Sequence, residues 1–164
     1  MSQPFVIVGA GSLGQSFAAL LALAGEDVSL LATPRSAERL LARGAITLQG
    51  VVDAVVPLRS GSAPGGCVAL STDPADLPHE AQVLFTTKGH DLPAAIENVR
   101  AKAGERIGWA AGVQNGIVKD DLLAAAFGAE RVVGAVTIFG AQRPNGAHGC
   151  RAGHQPRRHL PWRT

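Results

Sequence analysis

An α/β fold built around a doubly wound, mostly parallel sheet is what this 164-residue sequence predicts. Three observations carry the prediction. The apolar residues Phe5, Val6, Ile7 and Val8 run straight into Gly9-Ala10-Gly11-Ser12-Leu13-Gly14, and an apolar helical pattern follows over residues 15–25. A second strand-like run, Asp27-Val28-Ser29-Leu30-Leu31, comes next, at the interval of a β-α-β unit. Later apolar runs at 82–87 and 106–113 each end in a polar turn that opens a helix, as strands of a parallel sheet do. Hydrophobic residues make up 46% and charged residues 17% of the chain, a balance that suits a buried sheet and excludes a disordered one.

The first strand, turn and helix have the form of a Rossmann-type nucleotide cradle. Gly9 lets the chain turn, Gly11 lets a pyrophosphate approach the backbone, and Gly14 lets helix and strand pack closely. The unpaired N–H groups and positive end of the helix then hold the phosphates, and Ala10, Ser12 and Leu13 complete the turn. A glycine-rich strand–helix turn without a ligand would read the same way. The end of the second strand separates the two nicotinamide dinucleotides. An NAD site places Asp or Glu there, about twenty residues beyond the turn, for the ribose 2′-OH. This chain has Ala32-Thr33-Pro34-Arg35-Ser36 instead, and Glu38 lies a helical turn too far on. Arg35 offers a forked cation for a 2′-phosphate, with the Thr33 and Ser36 hydroxyls close by, so NADP(H) is expected over NAD. The plainer alternative is that Arg35 only decorates a helix over 36–43.

Gly44 closes that helix, and residues 45–58 read as a β-hairpin broken by Gly50 and Asp53. A flexible loop, a short strand at 68–70 and a turn at Asp73-Pro74-Ala75-Asp76 follow. The strand at 82–87 runs into Lys88-Gly89-His90-Asp91, which puts Lys88 at the carboxyl end of a strand, where ligands of doubly wound sheets bind. Asp91 is expected to cap a helix over 92–103, and His90 to be a loop residue without a carboxylate partner. The strand at 106–113 leads to Gln114-Asn115-Gly116 and a helix over 117–127. Asn115 can donate and accept, which suits a ribose hydroxyl, a carboxamide or a substrate carboxylate, although Asn-Gly is also a common turn pair. A last strand is expected over 131–139, ending at Gly140-Ala141.

Other function classes are excluded by composition. The longest apolar run near the N-terminus, residues 17–24, is too short to span a membrane, and no basic segment precedes it as in a signal peptide. Cys67 and Cys150 lack metal-ligand spacing and read as incidental thiols of a reducing cytoplasm, so no metal is expected. The net charge of +2 comes from residues 147–164, which hold Arg151, Arg157, Arg158, Arg163 and no acid. The remaining body is mildly acidic and presents no nucleic-acid face.

Four stretches together resemble the ketopantoate reductase (2-dehydropantoate 2-reductase) family. They are Gly9 to Gly14, Thr86-Thr87-Lys88, Gln114-Asn115-Gly116, and Gly134-Ala135-Val136-Thr137-Ile138-Phe139-Gly140-Ala141. The resemblance covers roughly residues 4–146 and implies the family's N-terminal NADPH-binding domain. It implies NADPH-dependent reduction of a small 2-keto acid, with ketopantoate to pantoate in pantothenate synthesis as the reference reaction. By the same resemblance the glycine turn and Arg35 bind the cofactor, and Lys88 and Asn115 lie at the cofactor near the reacting end. Ala141 matches another cofactor contact. The family's catalytic Lys and Glu belong to a helical C-terminal domain that this sequence does not contain, so no catalytic residue is expected in the chain.

The expected division is therefore a dinucleotide-binding domain over 1–146 and an irregular basic tail over 147–164. The tail mixes Gly, Ala, Pro, Arg and His without acids, as a GC-rich gene does when read out of frame. His159 to Thr164 permit a one-base-shifted reading of Ile-Tyr-Leu-Gly-Glu, which resembles the strand closing the family's first domain. A frameshift near residues 143–150, leaving a truncated form inactive alone, is the expectation. A non-catalytic NADP(H)-binding module or redox sensor completed by a partner chain is the rival, and homo-oligomerisation stays open.

Overall fold

A computed structural model describes residues 3–50, 52–61, 65–142 and 150–154. Strand β1 (Phe5–Val8) enters the glycine turn, helix α1 (Ser12–Leu23) leaves it, and β2 (Val28–Leu31) returns parallel to β1. Helix α2 (Pro34–Arg43) follows. It begins on Thr33, whose hydroxyl accepts from Ser36 N–H, and ends on Gly44 at φ 71°, a left-handed position that favours glycine. The helix thus starts at Pro34, ahead of the expected Ser36, because proline suits a first turn that needs no N–H.

The hairpin is formed by β3 (Ala45–Gly50) and β4 (Ala54–Ser60), antiparallel, and β5 (Val68–Ser71) then lies parallel between β4 and β2. The chain next crosses to the far side of β1. There β6 (Ala81–Phe85), α3 (Leu92–Ala103), β7 (Ile107–Gly112), α4 (Val118–Phe127) and the two-residue β8 (Val132–Val133) extend the parallel sheet. Strands β9 (Phe139–Gln142) and β10 (Cys150–His154) join the opposite edge beside β3. The order across the sheet is β8-β7-β6-β1-β2-β5-β4-β3-β10-β9. Strands β1, β2 and β4 to β8 run parallel, the doubly wound, Rossmann-type α/β arrangement that the sequence predicts.

The alternation of side chains along the central strands supplies two cores, one on each face. Ile7 and Leu30 pack with α1 residues Ala18, Ala19 and Ala22, whereas Val6, Val8 and Leu31 pack with Leu92, Ile96 and Val99 of α3. A small helix face of alanines lets α1 sit close to the sheet, which the glycine turn at its start requires.

Two expectations change. The apolar run at 131–139 is not one strand: only Val132 and Val133 pair with β7, and Val136 and Ile138 are 94% and 79% exposed. An apolar run records a demand for burial without naming the partner, and after two rungs the chain leaves the β7 edge to reach β9. The stretch 147–164 is not irregular throughout, since Cys150–His154 form β10; its other residues lie outside those described. Backbone pairing with β3 and β9 needs no particular side chains, so a composition poor in strand formers did not reveal it.

Candidate functional site

The carboxyl ends of β1, β2, β5, β6 and β7 converge on one edge, and the reversal of strand order between β6 and β2 opens a crevice above β1. A cavity of about 640 Å³ fills it, lined among others by Gly9, Ala10, Gly11, Thr33, Thr87 and Lys88. A second cavity of about 540 Å³ shares Thr86, Thr87 and Lys88 with the first and is closed by Leu13, Gln114, Asn115, Thr137 and Ala141. A larger concavity of about 890 Å³ lies over the β3–β4 hairpin. Its one carboxylate, Asp53, already accepts from Gly50 N–H, and the chemistry-bearing groups converge on the crevice instead.

The glycine turn is held by contacts that only glycine allows. Gly9 sits at φ 111°, and a Cβ there would meet the Thr87 methyl and backbone nitrogen at 3.0 Å. At Gly14 a Cβ would be driven into the Gly9 carbonyl oxygen and would lie 2.5 Å from Thr86 Oγ1. Gly11 differs: a Cβ there meets nothing within 4 Å, so this position faces open space. The side chain that helix starts usually carry as a cap is missing at Gly11, and no acid stands in the first turn of α1. The first N–H groups of α1 are therefore left for an anion from outside.

Buried polar side chains that sequence reasoning passed over fasten this turn. Thr86 donates its hydroxyl to the carbonyl oxygens of Val8 and Gly9, at 3.0 and 2.9 Å, and its N–H to Val8 O at 2.8 Å. Gln15 donates from Nε2 to Ala10 O at 2.8 Å. On the far side, Gln114 donates from Nε2 to Phe85 O and Thr87 O at 3.2 and 2.9 Å. The Thr-Thr-Lys string was visible in sequence; that its first threonine ties two strands together was not.

The lip at the end of β2 is looser. Thr33 caps α2, its hydroxyl 3.1 Å from Ser36 Oγ, and Arg39 donates to Ser36 Oγ at 3.3 Å. Thr33, Pro34 and Ser36 line the crevice, whereas Arg35 is exposed in the first turn of α2 and is not among the lining residues. Arg39 and Arg43 border a shallow recess with Ala10 and Gln15, so two arginines besides Arg35 stand beside the turn. Sequence reasoning missed Arg39; its three-residue spacing from Ser36 on one helix face was the available signal.

Lys88 is exposed, borders both cavities, and its ammonium makes no hydrogen bond or ion pair among the described residues. Asn115 and Ala141 stand together on the wall of the second cavity. The structure corrects two neighbours. Asp91 makes no side-chain cap on α3, and its carboxylate lies 3.4 Å from His90 Nε2, so His90 does have a carboxylate partner. The short single-turn helix at Gly89–Asp91 brings these adjacent side chains together. Among the described residues no helix is long and apolar enough to cross a membrane, and no group of three or more His, Cys, Asp or Glu is placed to hold a metal.

Residues 5–158 match the family model of the ketopantoate reductases PanE/ApbA. The chain belongs to the ketopantoate reductase family. It is 29% identical over 136 residues to a 2-dehydropantoate 2-reductase of Pyrococcus horikoshii, a match that takes in 82% of this chain and 40% of that protein. A crystal structure of 2-dehydropantoate 2-reductase from Geobacter metallireducens superimposes with a TM-score of 0.73 at 25% identity. That superposition covers 98% of this chain and 51% of the other. D-mandelate dehydrogenase in complex with NADH shares the fold at a TM-score of 0.63 and 17% identity, over 91% of this chain and 42% of that one. The ketopantoate reductase domain described here thus spans about half the length, or less, of these relatives.

Proposed function

We propose that this domain holds NADPH for the reduction of a 2-keto acid, with 2-dehydropantoate (ketopantoate) to pantoate as the reaction. The observation that carries the cofactor reading is the start of α1. Its N–H groups are uncapped, Gly11 leaves open space before them, and both face a crevice at the strand-order reversal. The pyrophosphate belongs on Gly9 to Gly14, where a cradle that side chains would fill is kept clear. Bound there, the dinucleotide supplies a hydride. Lys88 contributes a cation between the two cavities, which favours anionic groups of cofactor or substrate. Asn115 offers a donor and an acceptor on the wall shared with Ala141.

The preference for NADP(H) rests on charge at the lip. No acid stands between the end of β2 and Glu38, and the exposed Arg35 and the Ser36-bound Arg39 offer guanidinium cations for a 2′-phosphate. No catalytic acid is assigned to the chain. General acid assistance contributes about 10²–10⁴-fold, so the chain by itself is expected to turn over little keto acid. The relatives' activity is proposed for their whole length, with this domain as the cofactor half.

Fluorescence titration with NADPH and NADH tests the reading. NADPH is expected to bind more tightly than NADH by about tenfold or more, and Arg35→Ala to weaken NADPH alone, as loss of a charge-assisted pair does. Equal affinity for both nucleotides in the unmodified chain contradicts the assignment of NADP.

A further inference from the structure

We infer that Gln114 is a positioning residue for Lys88, and that Gly112 is glycine to make room for it. The argument starts where two strands part. Val113 N–H donates to Phe85 O at 3.2 Å, the last backbone rung between the ends of β6 and β7. Beyond it the Gln114 side chain takes over. Its Nε2 donates again to Phe85 O at 3.2 Å and to Thr87 O at 2.9 Å, so an amide side chain extends the ladder past the strands.

The carbonyl of Thr87 and the N–H of Lys88 share one planar peptide group. Holding Thr87 O therefore fixes the plane from which Lys88 departs. The following carbonyl, Lys88 O, accepts from Asp91 N–H at 2.9 Å. Lys88 is thus pinned by the peptide on each side while its ammonium stays unpaired among the described residues.

This arrangement has a visible cost. Oε1 of Gln114 is buried and without a hydrogen-bond partner. Turning the amide over would aim Oε1 at two carbonyl oxygens, so the two acceptors fix its orientation. A Cβ at residue 112 would lie 2.7 Å from Oε1 and 3.3 Å from Lys119 Cδ, so the fold-back of Gln114 depends on Gly112. The ordering of Lys88 stands without the cofactor; its consequence for binding rests on the NADPH reading above.

Gln114→Glu tests it. An ionised carboxylate has no hydrogen to donate and repels both carbonyls, whereas the protonated acid donates once, and burial beside carbonyl oxygens favours that form. At pH 8 the Asp91 amide of the variant is expected to exchange with deuterium about tenfold faster than in the unmodified chain at the same pH, the gap closing to about twofold near pH 5. NADPH affinity is expected to fall about fivefold or more at pH 8, with no further fall from Gln114→Glu in a Lys88→Ala background, since residues acting through one another are not additive. Gly112→Ala, which displaces the same side chain, is expected to reproduce the exchange result if Gln114→Glu does not fold. Unchanged Asp91 exchange, faster exchange of β1 and β6 in step with it, or affinity losses that add to those of Lys88→Ala overturn the inference. If the unmodified chain does not bind NADPH, the cofactor reading fails, while the exchange data still decide the role of Gln114.

Discussion

The floor and the lip of the crevice are built by different means. On the floor, Gly9 and Gly14 are packed against Thr86, Thr87 and the turn's own backbone so closely that a single methyl group has no place at either, and buried hydroxyl and amide groups tie the carbonyls. At the lip, Thr33, Ser36 and Arg39 form a short chain of exposed hydrogen bonds, and Arg35 hangs free of the lining. The floor fixes geometry at the expense of tolerance; the lip supplies charge on side chains that can adjust. A dinucleotide site needs both, because every such ligand carries the same pyrophosphate and only the 2′-position differs between the two cofactors.

The largest expected effect breaks the comparison inside the floor itself. Gly14→Ala is expected to lower stability by about 1–3 kcal/mol or more in denaturant unfolding, since the obstruction is the Gly9 backbone and no side chain can swing away. Gly11→Ala, only three residues earlier, is expected to leave the unfolding midpoint nearly unchanged while weakening NADPH, because its methyl group meets only open space. If both variants unfold alike, the division between packing glycine and ligand-facing glycine is wrong.

Thr86→Val comes next. It keeps the shape but leaves Val8 O and Gly9 O without the hydroxyl, at about 1–3 kcal/mol for buried acceptors losing a donor. Urea unfolding that shifts by less than about 0.5 kcal/mol, the range of ordinary surface changes, contradicts the role of Thr86 as the tie between β1 and β6.

A smaller effect tests the border of the lip just past β5, where Thr72 lines the crevice. The carboxyl of Asp73 is held below its ordinary value, first by the N–H of Ala75 and then by the Lys102 ammonium at 3.0 Å. A lowered value means stability present above the unfolded carboxyl's titration and lost as pH falls through the folded one, below about pH 4. Asp73→Asn is therefore expected to lower stability slightly at pH 7–8, where the carboxylate contributes, and to leave the acid end nearly unchanged, so that the acid limb of the stability profile flattens, measured by thermal unfolding across pH. An unaltered acid limb removes Asp73 from the account.

The floor was far more legible in sequence than what surrounds it. Four apolar residues before three glycines at fixed spacing can satisfy few folds, and the strand, turn and helix stand where that pattern puts them. Lys88 and Asn115 were findable because strand ends face one edge of a parallel sheet, Ala141 only through the family resemblance, and the structure gathers all three around one cavity. The ties were not legible. Nothing local marks Thr86 or Gln114 as donors to carbonyls tens of residues away or in another turn, since such bonds exist only once the strands are side by side. Arg35 was read from its place in the chain, and the lip's other guanidinium, on Arg39, needed the helix to bring it to Ser36. The run at 131–139 failed for a different reason: its apolar pattern is real, but only Val132 and Val133 pair with β7, and its last residue, Phe139, belongs to β9 at the opposite edge.

The central claim is that the Gly9–Gly14 turn and its Thr87–Lys88 border receive a dinucleotide. Titrating the ¹⁵N-labelled chain with NADPH and following backbone amide resonances tests it most directly. The expected result is saturable shifts concentrated at Gly9 to Gly14, Thr87 and Lys88, with smaller ones at Ser36 and Asn115. Saturable shifts centred on the β3–β4 hairpin, or none at the glycine turn at millimolar NADPH, would contradict the account.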